Sequence, residues 1–212
     1  MENDLVSRNV VIVPSTAVRD VAVAWSTKLC QYGETHFVLD SGALPHVSVY
    51  QAAYPPGKLP SVEANVRTVT DSTAPFEMHL NGLGDFWGTF VFWDAVKSPE
   101  LSSLHFRLMA RLNPLREGRL LPIHQDILND GNTPVPLRES IRQYGNPLAG
   151  SQERPHITLT RFKSAEVIPG IRDELKTWTS SATVMLVDSI AITEVGPHGT
   201  CPRVLQTYRL TG

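Results

Sequence analysis

The sequence predicts an α+β architecture with antiparallel strand pairing. Two observations lead there. Apolar strands and amphipathic helices alternate along the chain, but without the strict βα period of a doubly wound fold. In addition, a strand-type pentapeptide, "PHVSV" at 45–49, recurs as "PHITL" at 155–159. Both copies read proline, histidine, β-branched apolar, hydroxyl, apolar.

The elements follow in order. Val10–Val13 reads as a short buried strand. Val18, Val21, Ala22, Trp25 and Leu29 then recur at helical spacing, and Gly33 suits the stop. "THFVLD" (35–40) reads as a second strand and His46–Tyr50 as a third. After the loop "PPGKLP", Ser61–Val69 reads as helical. "FEMHLNGLGDFWGTFVFWDA" looks like two strands around a Gly-rich turn, and Phe90–Trp93 is an apolar run typical of a strand covered on both faces. Ser98 as N-cap, Pro99 at the first helical position and Glu100 behind it open a helix. Leu101, Leu104, Leu108 and Leu112 continue its stripe.

Residues 113–150 hold five prolines and four glycines. They read as an irregular loop insertion, of the kind that forms a functional lid or a disordered insert, with a short helix near Leu137–Tyr144. "PHITLTRF" is then a strand, 165–178 a helix, "ATVMLVDSIAITEVG" a strand or hairpin arm, and "RVLQTYRL" a final strand. Residues 1–212 are expected to form a single domain carrying that insertion.

Composition narrows the class. Hydrophobic residues make up 42% of the 212 and charged residues 19%, enough apolar material for a real core. The net charge of −2 excludes a global basic signal for nucleic acid. Charge is uneven, however. Residues 1–103 hold 6 Lys/Arg against 11 Asp/Glu, whereas residues 104–163 hold 9 against 5. That basic stretch is suited to an anionic ligand or is simply a solvated surface. Cys30 and Cys201 show no metal-type spacing and make no disulfide framework. The N-terminus lacks a basic segment followed by a long apolar one, and no run of about 18 apolar residues exists. A cytoplasmic protein without a membrane span is the default expectation.

The repeated pentapeptide carries the chemistry. Strand side chains alternate faces, so His46 and Ser48 share one face and Val47 and Val49 the other. His156 and Thr158 do the same against Ile157 and Leu159. A fused duplication would set these strands across a pseudo-twofold axis, with two imidazoles and two hydroxyls around one cleft. Unperturbed pKa values of about 6.5 let one imidazole be neutral and the other charged near pH 7, as a general base and a general acid. The hydroxyls can hold the non-bridging oxygens of a phosphate. This suits phosphodiester cleavage without a metal. Neither pentapeptide offers the His-x-His or added carboxylates of a metal site, so no metal or cofactor is expected.

These paired histidine–apolar–Ser/Thr–apolar strands resemble the signature of the 2H (two-histidine) phosphoesterase superfamily, which includes bacterial 2′-5′ RNA ligase-like proteins and cyclic phosphodiesterases. "RPHITLTRF" is the closer copy, with Arg161 at the family's arginine position. "FEMHLNGLGDFWGTFVFWDAVKSPELSSLHFRL" and "EVGPHGTCPRVLQTYRL" are similar to its middle and closing segments. The resemblance runs from about Val10 to Leu210. It implies a bilobal α+β fold with a central cleft between antiparallel sheets and helices outside. It also implies catalytic roles for His46 and His156 and phosphate-binding roles for Ser48 and Thr158.

The implied activity is hydrolysis of 2′,3′-cyclic phosphates, 2′-5′ linkages or cyclic (oligo)nucleotides, with an RNA-ligase-like reverse reaction open to it. The implied partner is a nucleotide, a cyclic nucleotide or an RNA end, met by a monomer. The alternative is a binding module of the same fold that holds such a ligand without turnover. Serine replaces the more usual threonine in the first motif, and the 112–155 region is longer than in small members.

Other residues carry two readings each. By alternation Tyr50 joins the face of His46 and Ser48, where it would stack on a base or bond a phosphate; otherwise it is a buried strand-end tyrosine. Arg161 has the opposite parity to His156 and reaches the cleft only if the strand ends or bulges. Arg154 is a cleft guard or a solvated loop charge. Trp87 and Trp93 read as core, and His79, His105 and His124 as structural. His198, in "GPHGT", borders the cleft or lies in a plain glycine loop.

Overall fold

The computed structural model describes residues 5–40, 42–86, 88–180 and 183–212. Eight strands make one antiparallel sheet: β1 (Val6–Ile12), β2 (Val47–Tyr54), β3 (Phe76–Phe86), β4 (Phe90–Ala95), β5 (His156–Arg161), β6 (Val184–Val187), β7 (Ser189–Glu194) and β8 (Val204–Arg209). Their order across the sheet is β6-β3-β4-β5-β2-β1-β7-β8. Six α-helices accompany them: α1 (Thr16–Leu29), α2 (Leu59–Thr70), α3 (Pro99–Leu112), α4 (Pro122–Asn129), α5 (Val135–Tyr144) and α6 (Val167–Leu175). None of the described helices is long and apolar enough to cross a membrane.

The helices sit where their apolar stripes dictate. Val18, Ala22 and Leu29 are buried on α1, and Leu101, Leu104, Leu108 and Leu112 on α3. Ser98 caps α3 by accepting from the Leu101 N–H at 3.2 Å, as its position before Pro99 predicts. Trp93 is fully buried and packs on Trp25, with ring centroids 4.6 Å apart, so it belongs to the core. Trp87 lies outside the described residues.

The chain crosses over between its halves. Helix α1, from the first half, packs on β5 of the second, while α3 packs on β2. The two motif strands lie at the centre, paired to each other in the register Val47 opposite Ile157. Each is flanked outside by one partner, β1 beside β2 and β4 beside β5. The outer strands, β3 and β6 on one side and β7 and β8 on the other, complete two lobes about a pseudo-twofold axis.

Three details differ from the sequence expectation. "THFVLD" forms no strand. It makes only isolated bridges, Thr35 to Phe162 and Asp40 to Ala43. Side chains take up two of its backbone groups: Leu39 N–H donates to Ser26 Oγ, and the Phe37 carbonyl accepts from Thr160 Oγ1. Second, "ATVMLVDSIAITEVG" is two strands that part at Asp188. β6 pairs with β3, and β7 with β1 and β8. Third, residues 113–150 hold two helices, α4 as well as the expected α5. Gly145, at φ 75°, closes α5 in the left-handed region that glycine alone enters freely.

Candidate active site

Each motif strand carries a bulge immediately after its hydroxyl residue. Against β1, Val11 faces Ser48 while Val10 faces Tyr50, so Val49 is the extra residue. Against β4, Phe92 faces Thr158 while Val91 faces Thr160, so Leu159 is the extra residue. A bulge leaves a carbonyl outside the ladder, and both carbonyls are met from beneath by helices. His105 on α3 donates Nδ1–H to the Val49 carbonyl at 2.6 Å and accepts the Gly150 N–H at Nε2. Ser26 on α1 donates to the Leu159 carbonyl at 2.7 Å. The two lobes thus repeat the device with different side chains.

The bulges decide which residues line the cleft, because an extra residue reverses strand parity. Past Leu159, Thr160 is buried and Arg161 lines the cleft. This meets the condition that the parity of Arg161 demanded. Past Val49, Tyr50 is 2% exposed and belongs to the apolar core. Its ring reaches the cleft wall, but its hydroxyl donates to the Tyr144 carbonyl at 2.8 Å. The alternation that set Tyr50 on the face of Ser48 is therefore broken. Gln51, five residues after His46 as Arg161 is five after His156, occupies the equivalent cleft position.

The two histidines are built alike. His46 donates Nδ1–H to the Leu44 carbonyl at 2.9 Å, and His156 donates Nδ1–H to the Arg154 carbonyl at 2.7 Å. A carbonyl only accepts, so this contact fixes the tautomer and leaves Nε2 of each ring as the nitrogen that exchanges protons. The central register puts Ser48 beside His156 and His46 beside Thr158. Ser48 Oγ accepts from Asn9 Nδ2 at 2.7 Å, which leaves its own proton free to donate. Phe92 stacks on His156 with ring centroids 3.8 Å apart, and the Arg154 guanidinium lies 5.3 Å from the centroid of the Phe92 ring. Arg154 is no solvated loop charge. It pairs both nitrogens of its fork with the Asp94 carboxylate at 3.0 Å.

Burial lowers the pKa of both catalytic candidates. His156 falls to about 4, chiefly by desolvation, with the His46 charge acting in the same direction and Asp94 opposing it. His46 is lowered by desolvation as well. Burial thus drives both imidazoles toward the neutral form. The expectation of one neutral and one charged ring, drawn from unperturbed values, is corrected by their burial.

The cleft encloses ≈710 Å³, a volume suited to a nucleotide. Its far wall is the 113–150 insertion, which contributes Leu121, Ile123, Ile127 and Leu148. His124 within it is structural: it donates to the Gly145 carbonyl at 2.7 Å, and burial lowers its pKa to about 4. His198 borders the cleft. Sequence reasoning missed Asn9, Gln51, Phe92 and the insertion wall. Only Gln51 left a signal, since "PHVSVYQ" continues the repeat of "PHITLTR".

Two His–x–hydroxyl strands facing one cleft across a pseudo-twofold axis make a two-histidine phosphoesterase architecture. Residues 36–196 match the family model described as the 2′-5′ RNA ligase superfamily, and the chain belongs to that family. Solved structures share the fold over their whole length. A protein of Thermus thermophilus is 19% identical, with 97% of this chain and 98% of that chain covered and a TM-score of 0.60. E. coli LigT in apo form is 13% identical, with 99% of each chain covered and a TM-score of 0.58. E. coli LigT complexed with 3′-AMP is 14% identical, with 99% and 100% covered and a TM-score of 0.58. No curated protein sequence matches the chain.

Removal of either hydroxyl is expected to slow turnover of a phosphodiester by about 10²-fold, the usual cost of losing one oxyanion donor. Ser48→Ala and Thr158→Val, compared in kcat at fixed pH, measure it. Equal kcat in both variants and the wild type would remove the hydroxyls from the machinery.

Proposed function

We propose that the chain is a metal-independent phosphodiesterase in which His46 and His156 act as general base and general acid. Its substrates are nucleotides with a 2′,3′-cyclic phosphate, a 2′-5′ linkage or a cyclic (oligo)nucleotide diester. The single domain of two lobes supplies one half-site each, and the insertion covers them. The observation that carries this reading is the pairing of Val47 with Ile157, with both Nδ1 atoms bonded to the carbonyl two residues back. Family membership supports it. So does the occurrence of E. coli LigT, of the same fold, in complexes with phosphate and with 3′-AMP.

The step balances simply. Nε2 of the neutral histidine takes a proton from water as the water oxygen bonds to phosphorus. Nε2 of the protonated histidine gives its proton to the ribose oxygen as the P–O bond to that oxygen breaks. One diester and one water become a monoester and a hydroxyl, and the histidines exchange protonation states. Ser48 and Thr158 hold the non-bridging oxygens, where negative charge grows. The acid's proton comes with the substrate: a phosphate anion beside a buried imidazole favours the imidazolium.

The pH dependence follows in sign. The base must be neutral, so rate rises as pH passes its pKa; the acid must be charged, so rate falls as pH passes its own. In the free protein both lie below the ordinary histidine value, so kcat/KM should peak on the acid side of about 6.5. The bound anion raises both, so kcat should peak at higher pH. A kcat/KM optimum on the alkaline side of pH 7 would contradict the buried pair.

The reaction itself is tested by a panel of 2′,3′-cyclic mononucleotides, 2′-5′ oligoadenylate and cyclic dinucleotides, each with and without chelator. A monoester product from one class, unchanged by chelator, is expected. Tight binding across the panel with no product would make the chain a binding module instead.

A further inference from the structure

Arg161 and His198 line the cleft away from its two central histidines, and His36 packs against His198. His198 sits in the loop between β7 and β8 at φ 59° and ψ 20°, a left-handed conformation that costs a residue with a side chain. Its ring lies against His36, with centroids 4.2 Å apart, and its Nδ1 is 3.1 Å from Arg161 Nη1. A guanidinium only donates, so His198 accepts at Nδ1 and carries its own proton on Nε2. The backbone N–H of His36 donates to the Arg161 carbonyl at 2.8 Å, which ties the third member to the same strand end. Arg161 stacks 4.9 Å over Phe90, and its Nε is hidden from solvent without a hydrogen-bond partner.

Like neighbours crowd here without a counter-ion. Burial, His36 and Arg161 all act against a charge on His198. Among the described residues no salt bridge joins any of the three to a carboxylate. The flanking acids are already engaged, Glu34 with Lys163 and Glu194 with Arg203. A strained histidine, a buried guanidinium nitrogen without a partner and a second imidazole converge here, with no carboxylate paired to them among the described residues. The arrangement also breaks the pseudo-symmetry, since the cleft position equivalent to Arg161 holds the neutral Gln51.

We propose that His36, His198 and Arg161 form a second phosphate subsite, which binds a phosphate other than the one held between His46 and His156. The inference rests on reading the cleft as a nucleotide site, and it gives the ligand a direction. The second phosphate lies at the β5 end beside the β7–β8 loop, and the nucleoside that joins it to the first phosphate bridges that end of the cleft. The shared chemistry is a phosphate one nucleoside away from the first. It belongs either to a terminal monoester or to the next backbone linkage of an oligonucleotide.

The test compares adenosine 3′-monophosphate, adenosine 3′,5′-bisphosphate and a 3′-phosphorylated diadenylate by calorimetry, with histidine ring resonances followed by NMR. A second phosphate should tighten binding about tenfold, the size of one charge-assisted contact, and should move the His36 and His198 signals. His198→Gly, which suits the left-handed backbone, should bring the affinity ratio to within about twofold. Gain from the bisphosphate alone identifies a terminal monoester, and gain from the diadenylate alone a backbone linkage. Equal affinities with unmoved His36 and His198 signals overturn the subsite, even in an active enzyme. A gain that depends on His198 without turnover of any diester upholds the subsite and overturns the catalytic reading. Failure of all three ligands to bind overturns both.

Discussion

His46→Asn and His156→Asn should each lower phosphodiester turnover by at least about 10³-fold while the protein stays folded. Asparagine is the informative replacement, because its amide nitrogen can keep the bond that Nδ1 makes to the Leu44 or Arg154 carbonyl. What it removes is Nε2, the nitrogen that moves protons. Alanine at either position should be equally inactive but less stable, since it strands the carbonyl. The double variant should be little slower than either single one, because a base without its acid completes no cycle. Turnover near the wild-type level in either asparagine variant, at an unchanged urea midpoint, would end the two-histidine mechanism.

The second large effect is on stability. His105→Leu should destabilise the fold by about 2–5 kcal/mol, because both partners of the ring are buried backbone groups left without a bond. For a chain of this size that corresponds to a fall in Tm of roughly 5–15 °C. Ser26→Ala should act in the same way and by less, about 1–3 kcal/mol, since the Leu159 carbonyl and the Leu39 N–H lose their shared hydroxyl. These two residues hold the bulges in place, and the bulges set Gln51 and Arg161 at the cleft. Turnover of the surviving folded fraction should therefore fall as well. A His105→Leu protein with wild-type Tm would show that the Val49 carbonyl finds another partner or needs none.

Much of the fold was legible because local patterning and global arrangement agree. The helical stripes of α1 and α3 and the Ser98-Pro99 start are set by side-chain periodicity and by capping chemistry, both local. The histidine pair was legible for a different reason. One such pentapeptide describes a satisfied core histidine as well as a reactive one. Its recurrence 110 residues on suits a fused duplication, which would place the copies symmetrically. "THFVLD" shows the opposite case. Its composition suits a strand, but strand formation needs a neighbour with free ladder groups, and Ser26 and Thr160 take those groups first.

The sequence alone determined the family resemblance, and it set His46 with Ser48 and His156 with Thr158 on one strand face, since spacing within a strand needs no tertiary information. Tertiary structure decided everything that depends on a bulge or on burial. Leu159 and Val49 each add one residue to their strand, which turns Arg161 into the cleft and Tyr50 out of line with Ser48. An extra residue is visible only against the partner strand, and that partner is distant in sequence. Burial then lowers the pKa of both imidazoles. The cost of charging a ring depends on the whole environment closing over it, which no heptapeptide contains.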